Sequence, residues 1–479
     1  MTVVAPSFNH SKYKYYLETI YVLIALYAIC YQLQRPIEPF LVDRLVYNTN
    51  NEGDDGSSTS SSQQTYGNLQ TLFNVCQMIG SLLFGTIVDQ FGIRVGFLVN
   101  FIASAGSYYL LSQATTIHYL YMSKIPGMFM AGFLVGQTAC VKCVQINSKE
   151  GNDSNARIKV LGRLTASYTV GAMVGPFIGG FLGAHGDYYF GAKLACMGSL
   201  LCAALAWFAL PDLEQIQSTP GYTRQTSTSS DTNNMEQTSS TQKWSFWGRY
   251  YKAIQISGVF LSIKVITSVA NSMASTAQPL ILKNQLGVSE KGLGMFMSFS
   301  FCVGGLVNGF GLDKLTKVLG SPSFLSSKKN INTGGNPRLV VKHTVFGMFV
   351  FYSCLAFIYS SIGISTMEAF ILLTNTQKYF DIIKQIPFIS LTLLLSILQF
   401  TLSTSITAET TSLVPKEIRG TMVSLEHSLF SAPRIVAPSI GVAVYRMGDI
   451  SGLCISCALI FLSVSFCWNR FIDIPTFTK

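Results

Sequence analysis

Charged residues are scarce in this sequence. Only 12% of its 479 residues are Asp, Glu, Lys or Arg, whereas 49% are hydrophobic. An average soluble domain contains about 25% charged residues, because its surface has to be hydrated. The shortage therefore excludes an ordinary soluble protein and favours a bundle of helices embedded in a membrane.

Several signatures of chemistry are also missing from the sequence. We find no P-loop, so ATP-driven transport is unsupported. No His cluster, Ser-x-x-Lys motif or pair of carboxylates with hydrolytic spacing stands out, which makes a membrane enzyme the least favoured class. Cys140-x-x-Cys143 and Cys454-x-x-Cys457 each lack a partner pair or a nearby His. We therefore expect these thiols to pack between helices, and we expect no metal and no cofactor.

Long apolar segments, by contrast, are abundant. Twelve are long enough to cross a bilayer, at roughly 16–36, 66–88, 94–113, 118–141, 162–184, 189–210, 254–281, 292–312, 340–362, 386–410, 420–445 and 450–470. The residues before the first segment are polar and lead to no small-residue cleavage site, so this segment is expected to remain as a span. The acidic, Ser-rich stretch from Asn48 to Gln64 is expected to be disordered.

The positive charges are distributed unevenly. The formal net charge of +10 could indicate a polyanionic partner. However, alternate loops on the side of the N-terminus hold roughly three times as many Lys and Arg residues as the opposite loops, which is the positive-inside pattern. We therefore expect both termini in the cytoplasm and no nucleic-acid partner.

A polar stretch divides the chain into two halves. Residues 213–250 are dominated by Ser, Thr, Gln and Asn, so they are expected to form a disordered cytoplasmic linker. The second half repeats the first, since Gly309-Phe-Gly-Leu-Asp313 stands where Gly85-Thr-Ile-Val-Asp89 stood. The sequence thus predicts an all-α membrane protein with twelve transmembrane helices in two pseudo-symmetric six-helix bundles, residues 1–212 and 251–479, and a substrate site between them.

A charged glycine motif lies between the second and third segments, in the form Gly85-x-x-x-Asp89-x-x-Gly92-x-Arg94. Gly85 and Asp89 share a helix face, Gly92 permits a turn, and Arg94 supplies a counter-charge. A loop that merely ends a helix is the simpler alternative. The motif resembles the signature loop of major facilitator superfamily transporters. This resemblance implies that Asp89 and Arg94 latch the two halves together in the outward-open state, with Asp313 as the counterpart in the second half.

The fifth segment contains a stripe of small residues. Gly171, Gly175 and Gly179 recur every four residues. Pro176 directly follows Gly175, and Gly180 directly follows Gly179. A generic close-packing face would explain the glycines. The pattern also resembles the antiporter motif of drug/proton antiporters in the same superfamily.

Seven ionisable residues lie in or beside the apolar segments. Such groups usually face a wet cavity, because a charge inside a span costs about 2.5–3.5 kcal/mol on insertion scales. Our candidates for contact with substrate or protons are Arg35, Glu38, Lys124, Lys264, Glu409, Glu426 and Arg434. Superfamily members commonly have an Arg where this chain has Lys124. The alternative to a role of Lys124 in the site is that its side chain extends to the membrane surface. The acids available to Lys264 are Glu409 and Glu426.

The end of the first segment reads Arg35-Pro36-Ile37-Glu38-Pro39. The two prolines are expected to break the helix there. Arg35 and Glu38 are three residues apart and can pair, either as an ordinary interfacial ion pair or as part of a substrate or proton site.

These features favour a secondary active transporter of small organic solutes. Lys124-Ile-Pro-Gly and Arg419-Gly-Thr-Met resemble the organic-cation-transporter-like branch of the superfamily. The resemblances imply organic cations or drugs as substrates, proton antiport and alternating access. A uniporter or proton-coupled symporter of a metabolite, and a non-transporting receptor or scaffold on the same fold, are the alternatives. We expect a monomer that contacts lipid, a small solute and protons, in the plasma membrane or an acidic organelle.

Overall fold

The computed structural model describes residues 10–49, 55–147, 154–210, 246–307, 311–320, 337–373, 380–414, 422, 425–426 and 429–471. Within these ranges, all regular secondary structure is helical. The predicted linker, 213–250, lies outside the described residues except for its last five positions.

The described residues of the first half form seven α-helices and one short 3-10 helix. Their bounds are α1 His10–Leu33, α2 Glu38–Thr49, α3 Asp55–Ser112, α4 Ile117–Lys124, the 3-10 helix Pro126–Phe129, α5 Gly132–Asn147, α6 Ser154–Gly183 and α7 Phe190–Ala209. Thr116 caps α4 by accepting a hydrogen bond from the Tyr119 amide. The break between α4 and α5 lies at Pro126, inside the fourth predicted span, because a proline cannot donate the backbone hydrogen bond that a continuous helix needs.

Seven further α-helices are described in full in the second half. Their bounds are α8 Phe246–Asn284, α9 Glu290–Leu306, α10 Leu312–Leu319, α11 Pro337–Ile358, α12 Ser361–Leu373, α13 Phe380–Leu413 and α14 Pro433–Phe471. Ser289 caps α9 by accepting a hydrogen bond from the Gly292 amide.

Two of the longest helices turn sharply at a residue with positive φ. Gly92 has φ 86° within α3, and Asp449 has φ 55° within α14. Each of these helices therefore contains two predicted spans joined by a tight turn. The described residues include eight helical stretches that are long and apolar enough to cross a membrane. The count of twelve spans stays a prediction.

The prediction of disorder for Asn48 to Gln64 is wrong for its second part. α3 begins at Asp55, and the Ser62 side chain is buried. The Gln64 amide oxygen also accepts a hydrogen bond from Arg446 of the second half, at 3.3 Å. Tertiary packing therefore orders a segment whose composition alone favours disorder.

Among the described residues, the hydrophobic core joins the two halves at one end only. The large core of the second half also contains residues of the first half. They come from α2, from both ends of α3, from α4 and from the start of α7, and include Leu41, Tyr66, Leu120 and Ala192. We call this the joined end. Near the chain termini, the first half has its own core, which includes Leu17 and Phe84, and the second half has a separate cluster around Ala253.

Candidate functional site

A cavity of about 410 Å³ lies between the two halves. The first half contributes Arg35, Glu38 and Gln70 to its lining, and the second half contributes Lys264, Asn271 and Arg434. Its volume is within the range of small-molecule sites, about 300–1,000 Å³. A site between two related bundles is the arrangement that the internal repeat predicts.

Glu38, at the start of α2, pairs with Lys124 at the end of α4. The Gln70 side-chain amide also donates to Glu38 Oε2, at 3.1 Å. The predicted pairing of Glu38 with Arg35 is not formed, because α1 ends at Leu33 and the two residues do not share a continuous helix. Lys124 therefore does not extend to the membrane surface, and both members of the pair are largely buried.

Lys264 on α8 lines the cavity and pairs with Glu426. The Thr407 hydroxyl lies 3.0 Å from Lys264 Nζ and 2.6 Å from Glu426 Oε1, so it bridges the pair. Only 3% of the Glu426 side chain is exposed. A buried carboxylate whose counter-ion faces a cavity can exchange a proton when that counter-ion moves, which is the chemistry that proton coupling needs.

Arg35 and Arg434 face the cavity from opposite halves. Among the described residues, neither guanidinium group forms an ion pair. The Arg434 guanidinium carbon lies 5.4 Å from the centre of the Phe430 ring. Both side chains are therefore available to a solute in the cavity.

Glu409 does not line this cavity. Its carboxylate accepts a bond from the Arg338 guanidinium, at 2.5 Å. Arg338 is half-exposed at the start of α11, so this pair lies towards the edge of the protein. The structure therefore separates Glu409 from the other ionisable candidates.

The turn of the glycine motif is formed by Gly92, whose positive φ is costly for other residues. The Arg94 guanidinium carbon stacks 4.3 Å from the centre of the Trp207 indole, and the same group donates to the Trp207 carbonyl. Trp207 belongs to the first half, so this contact holds Arg94 within its own half. The side chains of Asp89 and Asp313 and the surroundings of Gly85 lie outside the described part of the structure.

The glycine stripe of α6 contacts two different helices. Gly171, Gly175 and Gly179 pack against the α1 backbone, and a Cβ atom at Gly175 would lie 2.7 Å from the Ile29 carbonyl oxygen. Gly180 instead packs against α9 of the other half, where its nearest neighbours are the Glu290 carbonyl oxygen and the Gly294 Cα. Pro176 lies inside α6 without ending it.

Polar contacts across the joined end were not predicted from the sequence. Lys283 at the end of α8 pairs with Asp43 on α2 and donates to the Pro39 carbonyl, at 2.9 Å. The Tyr188 hydroxyl donates to Glu290 Oε1 on α9, at 2.7 Å. Lys283 and Glu290 lie at helix ends, Tyr188 lies in a connection and Asp43 lies within the short helix α2. The sequence gives no signal of which of these residues meet.

Comparison with known sequences gives one family and several partial relatives. A family model described as Major Facilitator Superfamily matches residues 20–438. Solute carrier family 67 member A1 of Homo sapiens is 30% identical over 196 residues, which is 40% of this chain and 41% of that protein. The class B tetracycline resistance protein of Escherichia coli is 26% identical over 246 residues, 51% of this chain and 54% of that protein. The matches thus span about half of these relatives or less.

Solved structures share the fold across almost the whole chain. The nucleoside transporter NupG superposes with a TM-score of 0.58 and 11% identity, covering 95% of this chain and 100% of the other. The human organic anion transporter MFSD10 superposes with a TM-score of 0.53 and 12% identity, covering 95% and 99%. At such identities, the likeness concerns the fold alone.

Proposed function

This chain belongs to the Major Facilitator Superfamily, and from that premise we propose that it carries a small organic solute across a membrane by alternating access in exchange for protons. Its family and relatives make it a transporter rather than an enzyme. The observation that carries the finer proposal is the cavity between the two halves, which contains ionisable side chains from both.

The asymmetry of the core supports alternating access. The halves share a core at the joined end and have separate cores near the termini. If the termini are cytoplasmic, as the loop charges predict, this is a conformation closed towards the outside. The same halves would close the opposite end in the alternative state, in which the Gly85–Arg94 motif would act as a latch.

Two ion pairs are the candidates for proton coupling. Lys264 with Glu426 and Lys124 with Glu38 each place a carboxylate beside a lysine at the cavity. Exchange of a proton at either carboxylate would release its lysine. We expect the protein to act as a monomer in the plasma membrane or in an acidic organelle.

Reconstitution tests this function. The purified protein would be inserted into liposomes that contain a pH-sensitive dye, and tetracycline would be added as a drug-like probe, with empty liposomes as the control. Proton antiport predicts tetracycline movement against an opposing proton flux. Uptake that does not depend on the pH gradient would instead favour a uniporter. Uptake accompanied by protons moving in the same direction would favour a symporter. Absence of flux for a broad panel of solutes would favour a receptor or scaffold.

A further inference from the structure

The charges that line the cavity do not balance. Four ionisable side chains other than tyrosine belong to the described lining, namely Arg35, Glu38, Lys264 and Arg434. Glu38 is neutralised by Lys124, and Lys264 is neutralised by Glu426. Arg35 and Arg434 have no ion pair within the described part of the chain. The lining therefore has an excess of two positive charges.

The two arginines lie close enough to interact electrostatically. Both side chains line the same cavity together with Tyr31. Arg35 is the like charge that acts on Arg434, and Arg35 is also within electrostatic range of Glu38, the carboxylate that Lys124 neutralises. Like charges that face each other at a cavity raise the free energy of the protein. A negative group between them would reverse the sign of this interaction.

Polar groups of α8 lie at the same cavity without satisfied hydrogen bonds. The Ser268 hydroxyl and the Asn271 amide oxygen have no hydrogen-bond partner among the described residues, and both side chains contribute to the lining. Buried polar atoms without partners are costly, so a solute that bonds them would gain affinity. The cavity thus offers positive charge and polar contacts together.

We infer that Arg35 and Arg434 jointly bind an anionic group, such as a carboxylate or phosphate, on the transported solute. Guanidinium groups suit this task because their planar fork can make two hydrogen bonds to one oxyanion. The inference rests on the proposed transport function and narrows its substrate class. A solute with a cationic group elsewhere fits the site if it also carries an anion, whereas a purely cationic solute does not.

The charge of the cavity can be tested without knowing the substrate. Ser272, another residue of the lining, would be replaced by Cys in a full-length variant without the other accessible thiols. Those thiols belong to Cys76, Cys196, Cys302, Cys354 and Cys467. The protein would be treated with two methanethiosulfonates of similar size, one carrying a sulfonate and one a trimethylammonium group. The ratio of their rates, divided by the ratio for a free thiol in solution, measures the local preference for anions.

We expect the corrected ratio to favour the anionic reagent by about tenfold or more, since charged clefts raise the local concentration of counter-ions by about 10–10³. The double substitution Arg35→Gln and Arg434→Gln should lower it by about tenfold. Arg35→Lys with Arg434→Lys should preserve it, because the charge is kept. Arg163→Gln, an exposed change on α6 outside the lining, is the matched control and should leave it unchanged.

An unchanged ratio in the double Gln variant would overturn the inference, as would a cysteine that reacts with neither reagent. Liposome transport separates this failure from failure of the proposed function. A protein that prefers the anionic reagent but moves no solute would retain the anion site and lose the transport assignment. A protein that transports without this preference would lose the anion site alone.

Discussion

Gly180 offers a direct test of whether the joined end opens during transport. This glycine of α6 packs against α9 of the opposite half. A Cβ atom added to it would lie 2.6 Å from the Glu290 carbonyl oxygen and 2.8 Å from the Gly294 Cα. Non-bonded heavy atoms need about 3.5 Å, so Gly180→Ala would force the two helices apart by roughly 0.7–0.9 Å.

The cost falls on one conformation only. Overpacking of this kind costs about 1–3 kcal/mol. Because the contact joins the two halves, the substitution penalises the state in which the joined end is closed. At about 1.4 kcal/mol for each factor of ten, the equilibrium should move about 5–150-fold towards the state in which this end is open.

Cross-linking across the same end measures the shift. Asp43 and Lys283 form an ion pair between the halves, so cysteines at both positions should be linked rapidly by a short bismaleimide. In this double-cysteine background, Gly180→Ala should slow cross-linking by at least about fivefold, in line with the estimated cost. Gly162→Ala is the matched control, since it lies on the same helix and its Cβ would meet nothing within 4 Å.

A second control separates opening from loss of stability. Gly175→Ala places its Cβ 2.7 Å from the Ile29 carbonyl oxygen, which belongs to the same half. It should lower the melting temperature and leave the cross-linking rate unchanged. If Gly180→Ala and Gly162→Ala cross-linked at the same rate, the rigid contact between the halves would be refuted.

Three further predictions test other parts of the molecule. Lys264→Gln should destabilise the protein by about 3–5 kcal/mol, because it leaves the buried Glu426 carboxylate without its counter-ion, and adding Glu426→Gln should restore most of the melting temperature. If this pair couples protons, the double variant should exchange solute without responding to a pH gradient. Burial raises the pKa of Tyr188 to about 12 from its usual 10.0. The hydroxyl can donate to Glu290 only while it keeps its proton, so this bond should stabilise the fold fully below pH 10.0, and its contribution should be lost as the pH rises through about 12. The difference in melting temperature between the wild type and Tyr188→Phe should therefore vanish over that interval. Asp89→Asn should reduce transport while membrane insertion persists, and normal transport would remove the latch assignment.

Local chemistry in the sequence predicted some breaks in the helices well. Pro36 and Pro39 were expected to interrupt the first span, and α1 ends at Leu33 while α2 begins at Glu38. Gly92 was expected to form a turn, and its φ of 86° does so. These features depend on a few adjacent residues, so they can be predicted without knowledge of the tertiary structure.

Partners between distant helices could not be derived in the same way. The sequence offered Glu409 and Glu426 equally to Lys264. Only the tertiary packing that brings Glu426, which precedes α14 in the chain, against α8 determines that Glu426 is the partner. The four-residue period of the glycines predicted a close-packed face. It did not reveal that Gly180, next to the stripe, contacts the other half while Gly175 contacts α1. Both the partner of Lys264 and the contacts of these glycines depend on how distant helices pack against one another.

The inferred anion site would also link solute binding to the change of conformation. Arg35 belongs to the first half and Arg434 to the second, so the repulsion between them opposes any movement that brings the two halves together around the cavity. An anion between the guanidinium groups replaces this repulsion with attraction to both. A transporter needs the bound solute to favour closure of the halves around the cavity. The loaded protein must pass through the state in which the solute is enclosed more readily than the unloaded protein does. The same two side chains would therefore select the solute and favour its enclosure.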